Sequence, residues 1–188
     1  MPSPTGHNTP ARCTQADLGD VMRLQKAVYA QQFGEEQESF SSKIAASPET
    51  CFIIRDGVDL SAYLITLPCT IDTLPILNAA SFAVPENADI FYIHDLAVSP
   101  NAAGKGYGTT LVKHALGVAS ELGLNTACLV AVQNSSGFWA KFGFNAAESL
   151  ESAIRNKLAL YGEGAVFMTR QLGSSARASD FERLAFPS

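Results

Sequence analysis

The tightest constraint on the fold of this chain is the run Asp89-Ile-Phe-Tyr-Ile-His-Asp-Leu-Ala-Val98, which ends in Ser99-Pro100-Asn101 and is followed at once by glycines at 104, 106 and 108. The run reads as an apolar strand, the Ser-Pro-Asn as a turn, and the glycines as a loop opening a helix from about Tyr107 to Leu122. Glycine has no Cβ, so the backbone can pass close to a ligand with its N–H groups turned outward. The helix that follows adds the positive end of its dipole. A strand, glycine loop and helix in this order form a device for holding phosphates.

The flanking sequence supplies the rest of a domain. Thr14-Gln-Ala-Asp17 resembles a helix start, with Leu18, Val21, Met22, Val28 and Tyr29 recurring at helical spacing. A second helix is expected from about Gln37 to Ala46, with Phe40 and Ile44 facing inward. Between the two lies an acidic elbow carrying Glu35, Glu36 and Glu38, read either as solvated surface or as an attractor for a cationic amine. Cys51–Arg55 and Leu60–Leu67 read as strands joined across Asp56-Gly57, a strong hairpin signal. The long Pro68–Ala88 segment contains Ile71, Leu74, Ile76, Leu77 and Phe82, and is expected to form a wall on the substrate side.

Beyond the phosphate device, Leu111, Val112, Ala115, Leu116 and Leu122 form the expected buried stripe of the helix, which Gly123 ends. Thr126–Val132 is apolar on both faces, as in a strand covered on both sides. Asn134–Phe144 reads as a short helix closed by Gly143, then a polar stretch, then a last strand over Gly164–Leu172. Residues 1–11 and 173–188 read as loose tails around one domain spanning 12–172.

Net charge is −5 and charged residues are 16% of the chain. That disfavours nucleic acid or an anionic membrane as partner, since both require clustered Lys and Arg, and mildly favours a cationic substrate. Cys13, Cys51, Cys69 and Cys128 stand far apart with no metal spacing, so reduced, packed thiols and no metal are expected. The first ten residues lack the basic and apolar regions of a signal peptide, and no apolar run reaches membrane-spanning length, so the expected location is the cytoplasm. A dinucleotide fold requires Gly-x-Gly-x-x-Gly and a Walker loop requires Gly-Lys-Ser/Thr; Gly104-Lys105-Gly106-Tyr107-Gly108 is neither.

The block from Tyr92 to Phe144 resembles the GNAT superfamily of acetyl-CoA-dependent N-acyltransferases. His94-Asp-Leu-Ala-Val98 resembles its fourth strand and Ala103-Gly-Lys-Gly-Tyr-Gly108 its pyrophosphate loop. Asn134-Ser-Ser-Gly-Phe-Trp-Ala-Lys-Phe-Gly-Phe144 resembles its last motif. Two positions depart from the pattern: Ala103 replaces an Arg or Gln, and Trp139 replaces a Tyr. The resemblance implies an α/β (α+β) fold, a single-domain, mixed, largely antiparallel sheet with helices on both faces. It implies acetyl-CoA as co-substrate and a primary amine as acceptor, and leaves a homodimer open.

Residue by residue, the resemblance and the physics point to the same places. Gly104, Lys105, Gly106, Tyr107, Gly108 and Thr109 would cradle the pyrophosphate, with Lys105 adding charge. Leu96, Ala97 and Val98 would offer backbone groups to the pantetheine and an N–H to the oxyanion, and Asn134 would meet the pantetheine or cap a helix. Strand alternation puts Tyr92, His94, Leu96 and Val98 on one face and Ile93, Asp95 and Ala97 on the other. An alkylamine with a pKa near 10.4 must lose a proton before attack, and a histidine, ordinarily near 6.5, can take it. His94 is the leading base and Asp95 ranks second. Trp139 reads as core or as a wall of the acetyl pocket, and Tyr161 as a candidate replacement proton donor. His7 and His114 are not candidates.

Overall fold

The computed structural model describes residues 9–29 and 34–173. Most of the expected N-terminal tail, His7, and the C-terminal tail from 174 onward lie outside the described residues. Among those described, β1 (Ala11–Arg12), β2 (Phe52–Asp56), β3 (Asp59–Cys69), β4 (Ile90–Val98), β5 (Thr126–Ala131), β6 (Asn145–Ala146) and β7 (Val166–Gln171) make one sheet, in the spatial order β1-β2-β3-β4-β5-β7-β6. Every neighbouring pair is antiparallel except β4 and β5, which run parallel. The helices are α1 (Leu18–Val28), α2 (Gln37–Ala46), α3 (Tyr107–Glu121), α4 (Ser136–Ala140) and α5 (Ser152–Ala159). The sheet is mixed and largely antiparallel, as expected.

Alternation along the strands divides the side chains between two cores. Phe52, Ile54, Ala62, Leu64, Phe91, Ala127, Leu129 and Met168 pack with Leu111, Val112 and Ala115 of α3 and Trp139 of α4. On the opposite face, Cys51, Ile53, Tyr63 and Ile65 meet Val21 and Leu24 of α1 and Phe40 and Ile44 of α2. Cys69, Tyr92, Cys128 and Phe167 meet Ile154 of α5 there. Helices therefore cover both faces. All four cysteines are buried free thiols.

Local chemistry sets the element ends. Thr14 and Asp17 form a capping box that opens a short 3-10 turn, Gln15–Asp17, running directly into α1. Gly123 (φ 71°) turns the chain after α3. Leu122 thus falls outside the helix and is 51% exposed, correcting its expected place in the buried stripe, and Leu124 fills the core instead.

Other boundaries also differ from expectation. Ala11 belongs to β1, opposite Ile53, and is not part of a tail. The polar stretch after Phe144 contains β6 and α5. β3 continues through Pro68 to Cys69, and the segment after it holds a 3-10 turn at Ile71–Thr73. No helix among the described residues is long and apolar enough to cross a membrane.

The most consequential difference lies in β4. Ile65 pairs with Asp95 but the next residue, Thr66, pairs with Ile93, leaving His94 opposite no residue. This is a β-bulge, and an extra residue reverses the facing of everything beyond it. Leu96 and Val98 therefore pack on the α3 side with Ile93, while Ala97 joins the α1/α2 side. Asp95 reaches Tyr29 and Tyr63 of that second core. The expected grouping of His94 with Leu96 and Val98, and of Asp95 with Ile93, does not hold.

Candidate active site

Two features of β4 shape the site. The bulge puts His94 and Asp95 together on the α1/α2 side. In addition, the β4–β5 ladder runs only from Ile90/Thr126 to Ile93/Leu129, although β4 continues to Val98 and β5 to Ala131. The strands part beyond that point. Ser99 N–H bonds Ser61 O at 2.8 Å, so every second residue back from it, Ala97 included, turns its backbone to β3. Leu96 and Val98 turn theirs into the gap between β4 and β5.

A cavity of about 570 Å³ follows this gap, from Glu35, His94 and Tyr161 at one end to Gly104, Gly106 and Thr109 at the other. At the glycine end, Gly104 (φ 78°) and Gly106 (φ 80°) occupy the left-handed region, and Gly106 caps α3. The first N–H groups of α3 have no helical acceptor. At Gly108 the demand is closeness: a Cβ there would lie 3.2 Å from Val98 Cγ2. Trp139 borders the cavity from within an aromatic cluster, its ring centroid 5.0 Å from Phe138 and 5.9 Å from Phe144.

At the other end, His94 Nε2 bonds Glu35 Oε1, and the imidazole is fully buried. Glu35 Oε2 accepts from Lys43 Nζ at 2.6 Å, Ser39 Oγ at 2.8 Å and the Asn78 N–H at 2.7 Å. Gln25 clamps the Glu35 backbone, accepting its N–H at 2.8 Å and donating to its carbonyl at 2.9 Å. Burial pushes the Glu35 carboxyl pKa up, but the adjoining His94 and Lys43 outweigh it and hold the group below the ordinary glutamate value. An ionised carboxylate only accepts, so the imidazole nitrogen facing it carries hydrogen. His94 Nδ1 is buried and has no hydrogen-bond partner among the described residues.

Asp95 sits beside this pair in a different setting. Tyr63 Oη donates to one carboxyl oxygen at 2.7 Å and Tyr29 Oη to the other at 2.7 Å, and Tyr29 Oη is also 2.7 Å from Leu96 O. Tyr29 therefore shares its one hydrogen between two acceptors. Burial drives the Asp95 pKa up, against the bonds from the two tyrosines. These contacts tie the β4 bulge to Tyr29 after α1 and to Tyr63 of β3.

Of the residues expected at the site, His94, Asp95, Leu96, Val98, Gly104, Gly106, Tyr107, Gly108 and Thr109 line the cavity. Three do not border it. Ala97 pairs with Tyr63 and packs under α1. Lys105 Nζ turns outward to Asp56 at 2.7 Å. Asn134 is exposed in a left-handed turn (φ 58°), and Ser135, not Asn134, is the cap of α4. Tyr29, expected only as part of a helix stripe, also belongs to the cavity, as do Leu77 of the expected substrate-side wall and Glu35 of the acidic elbow. Glu35 is neither solvated surface nor an open attractor, since both its oxygens are engaged. Glu36 and Glu38 are exposed and away from the cavity.

A family model described as "Acetyltransferase (GNAT) family" matches residues 20–144. The chain belongs to the GNAT acetyltransferase family. No curated relative matches the sequence. Among solved structures, this GNAT chain is similar to the ribosomal-protein-S18-alanine N-acetyltransferase of Escherichia coli, at 17% identity and a TM-score of 0.63 over 90% of this chain and 97% of that one. It is also similar to a GNAT-like decarboxylase, GphF, in complex with isobutyryl-CoA, at 11% identity and a TM-score of 0.69 over 87% and 98%. A third is the PaiA N-acetyltransferase of Thermoplasma acidophilum in complex with coenzyme A, at 15% identity and a TM-score of 0.61 over 86% and 97%. At these identities the likeness is one of fold.

The Glu35 network predicts a stability difference with a definite pH dependence. Glu35 is ionised in the fold at pH values where the unfolded chain has begun to bind its proton, so its contribution is complete above the ordinary carboxyl pKa and is lost as pH falls. Glu35→Gln, which leaves Lys43 buried without a counter-charge, should cost about 3–5 kcal/mol at pH 7. The gap to the wild type should narrow below about pH 4.3. Urea unfolding across pH measures it; a pH-independent gap contradicts the assignment.

Proposed function

We propose that the protein is an acetyl-CoA-dependent N-acetyltransferase in which a primary amine attacks the thioester directly and His94 takes its proton. The observation that carries this reading is His94 at the bulge, a residue lining the cavity, with Nε2 held by Glu35 and Nδ1 without a hydrogen-bond partner among the described residues. Family membership supports acyl-CoA as co-substrate, and the site fits it. The N–H groups opening α3 suit the pyrophosphate, and the close approach at Gly108 lets the ligand lie along the parted strands. Backbone groups of Leu96 and Val98 face the pantetheine path.

In the reaction, the amine nitrogen bonds the acyl carbon and its proton passes to His94 Nδ1, directly or through one water. Charge developing on the carbonyl oxygen falls within reach of a β4 N–H in the gap. The C–S bond then breaks to give the amide and CoA thiolate. A thiol has an ordinary pKa near 8.5, so water can protonate the leaving group and Trp139 need not replace a phenol. Tyr161 borders the cavity, with its hydroxyl 3.3 Å from that of Tyr92, and burial keeps it protonated by pushing its pKa up to about 12. That phenol is a second source of the proton.

Ala103 and Trp139 favour a second reading, an acyl-CoA-binding module without turnover, because each lacks a polar group the family pattern supplies. The two readings separate on His94→Ala. The first predicts that kcat for thiol release falls about a hundred- to ten-thousand-fold with acetyl-CoA affinity unchanged. Tight binding with no turnover in the wild type would leave only the second.

Both readings require the glycine cradle. Gly106→Val forces a β-branched residue to φ 80° and should weaken acetyl-CoA binding by about a hundredfold or more in calorimetry. Circular dichroism should show the fold retained. Unchanged affinity would remove the pyrophosphate from this loop.

A further inference from the structure

Negative net charge and a run of glutamates suggest a cationic acceptor, but the acceptor end of the cavity is built otherwise. Its two acids are both engaged by other protein groups. Glu35 receives His94, Lys43, Ser39 and the Asn78 N–H on its two oxygens. Each oxygen of Asp95 is taken by a tyrosine, Tyr29 on one and Tyr63 on the other. The rest of that end is Val28, Leu77, Tyr29 and Tyr161, apolar surface with two aromatic rings. Among the described residues bordering the cavity there is no lysine or arginine, and Lys43, which bonds Glu35, is fully buried.

We infer that the acceptor is an apolar primary monoamine, of the arylalkylamine kind, carrying no second charge near the reacting nitrogen. The inference rests on the acyl-transfer reading above and specifies its substrate. A second ammonium, as in a polyamine, would be desolvated beside acids whose oxygens are already bonded to protein groups. An α-carboxylate, as in a free amino acid, would meet no exposed cation. Burying either charge unpaired is costly, whereas an alkyl or aryl chain gains by covering Val28 and Leu77. Leu77 is the specificity-determining residue in this account: it is half-buried, in the segment that Asn78 ties to Glu35 and Glu36.

The test uses the full chain with saturating acetyl-CoA and follows thiol release with 2-phenylethylamine, spermidine, L-alanine and a tripeptide with a free alanine N-terminus. The expected result is a kcat/KM for 2-phenylethylamine about a hundredfold or more above each of the others. Leu77→Asp, which adds an uncommitted carboxylate, should raise kcat/KM for spermidine about tenfold or more while leaving acetyl-CoA affinity as it was. Preference for spermidine, alanine or the peptide in the wild type overturns the inference and leaves acyl transfer standing. Thiol release with none of the four, from protein that binds acetyl-CoA in calorimetry, overturns acyl transfer to amines and the inference with it.

Discussion

The Glu35 carboxylate, almost without exposure to solvent, joins parts of the chain that are distant in sequence. Lys43 and Ser39 come from α2, His94 from the β4 bulge, Asn78 from the long segment before β4, and Gln25 of α1 holds its backbone. A buried charge is tolerated only when its lone pairs are matched and an opposite charge is near. Here four donors surround two oxygens. The arrangement need not stabilise the protein more than an apolar core would, but it admits few alternatives, because displacing any one donor leaves a buried charge short of a partner. The same contacts hold one ring nitrogen of His94 and bring Leu77 to the cavity wall.

The bulge makes this network reachable. An uninterrupted β4 would send Asp95 to the α3 face with Ile93 and turn Leu96 away from it. One extra residue at His94 brings two ionisable side chains to the α1/α2 side and keeps Leu96 and Val98 in the α3 core. It also falls where β4 stops pairing with β5, so the histidine and the open backbone groups occupy the same stretch of strand. His94 and Asp95, adjacent in sequence, meet different surroundings: one faces the Glu35 carboxylate, the other is enclosed by the phenols of Tyr29 and Tyr63.

Much of the scaffold was legible in the sequence because it rests on local rules. The Asp56-Gly57 hairpin, the helix at Gln37–Ala46, the capping box at Thr14 and the loop at Gly104–Gly108 were each marked by residue types that few other structures use. The bulge was not legible, since it depends on how Thr66 of β3 pairs with Ile93 across the sheet, and nothing within β4 announces it. Glu35 resembled its exposed neighbours Glu36 and Glu38, and its burial comes from partners up to 59 residues away. α5 escaped notice because Ser152–Ala159 carries few apolar residues and buries Ile154 most deeply. Lys105 showed the converse: its place in the motif suggested a phosphate contact, but the nearby Asp56 holds its ammonium outside the cavity.

The central claim is that Glu35 fixes the hydrogen of His94 on Nε2, leaving Nδ1 to accept the proton of the incoming amine. Nitrogen-15 NMR of the His94 ring tests it most directly. The account predicts a protonated-type signal for Nε2 and an unprotonated-type signal for Nδ1, with this pattern lost in a Glu35→Gln background. A hydrogen found on Nδ1 in the wild-type protein would contradict it.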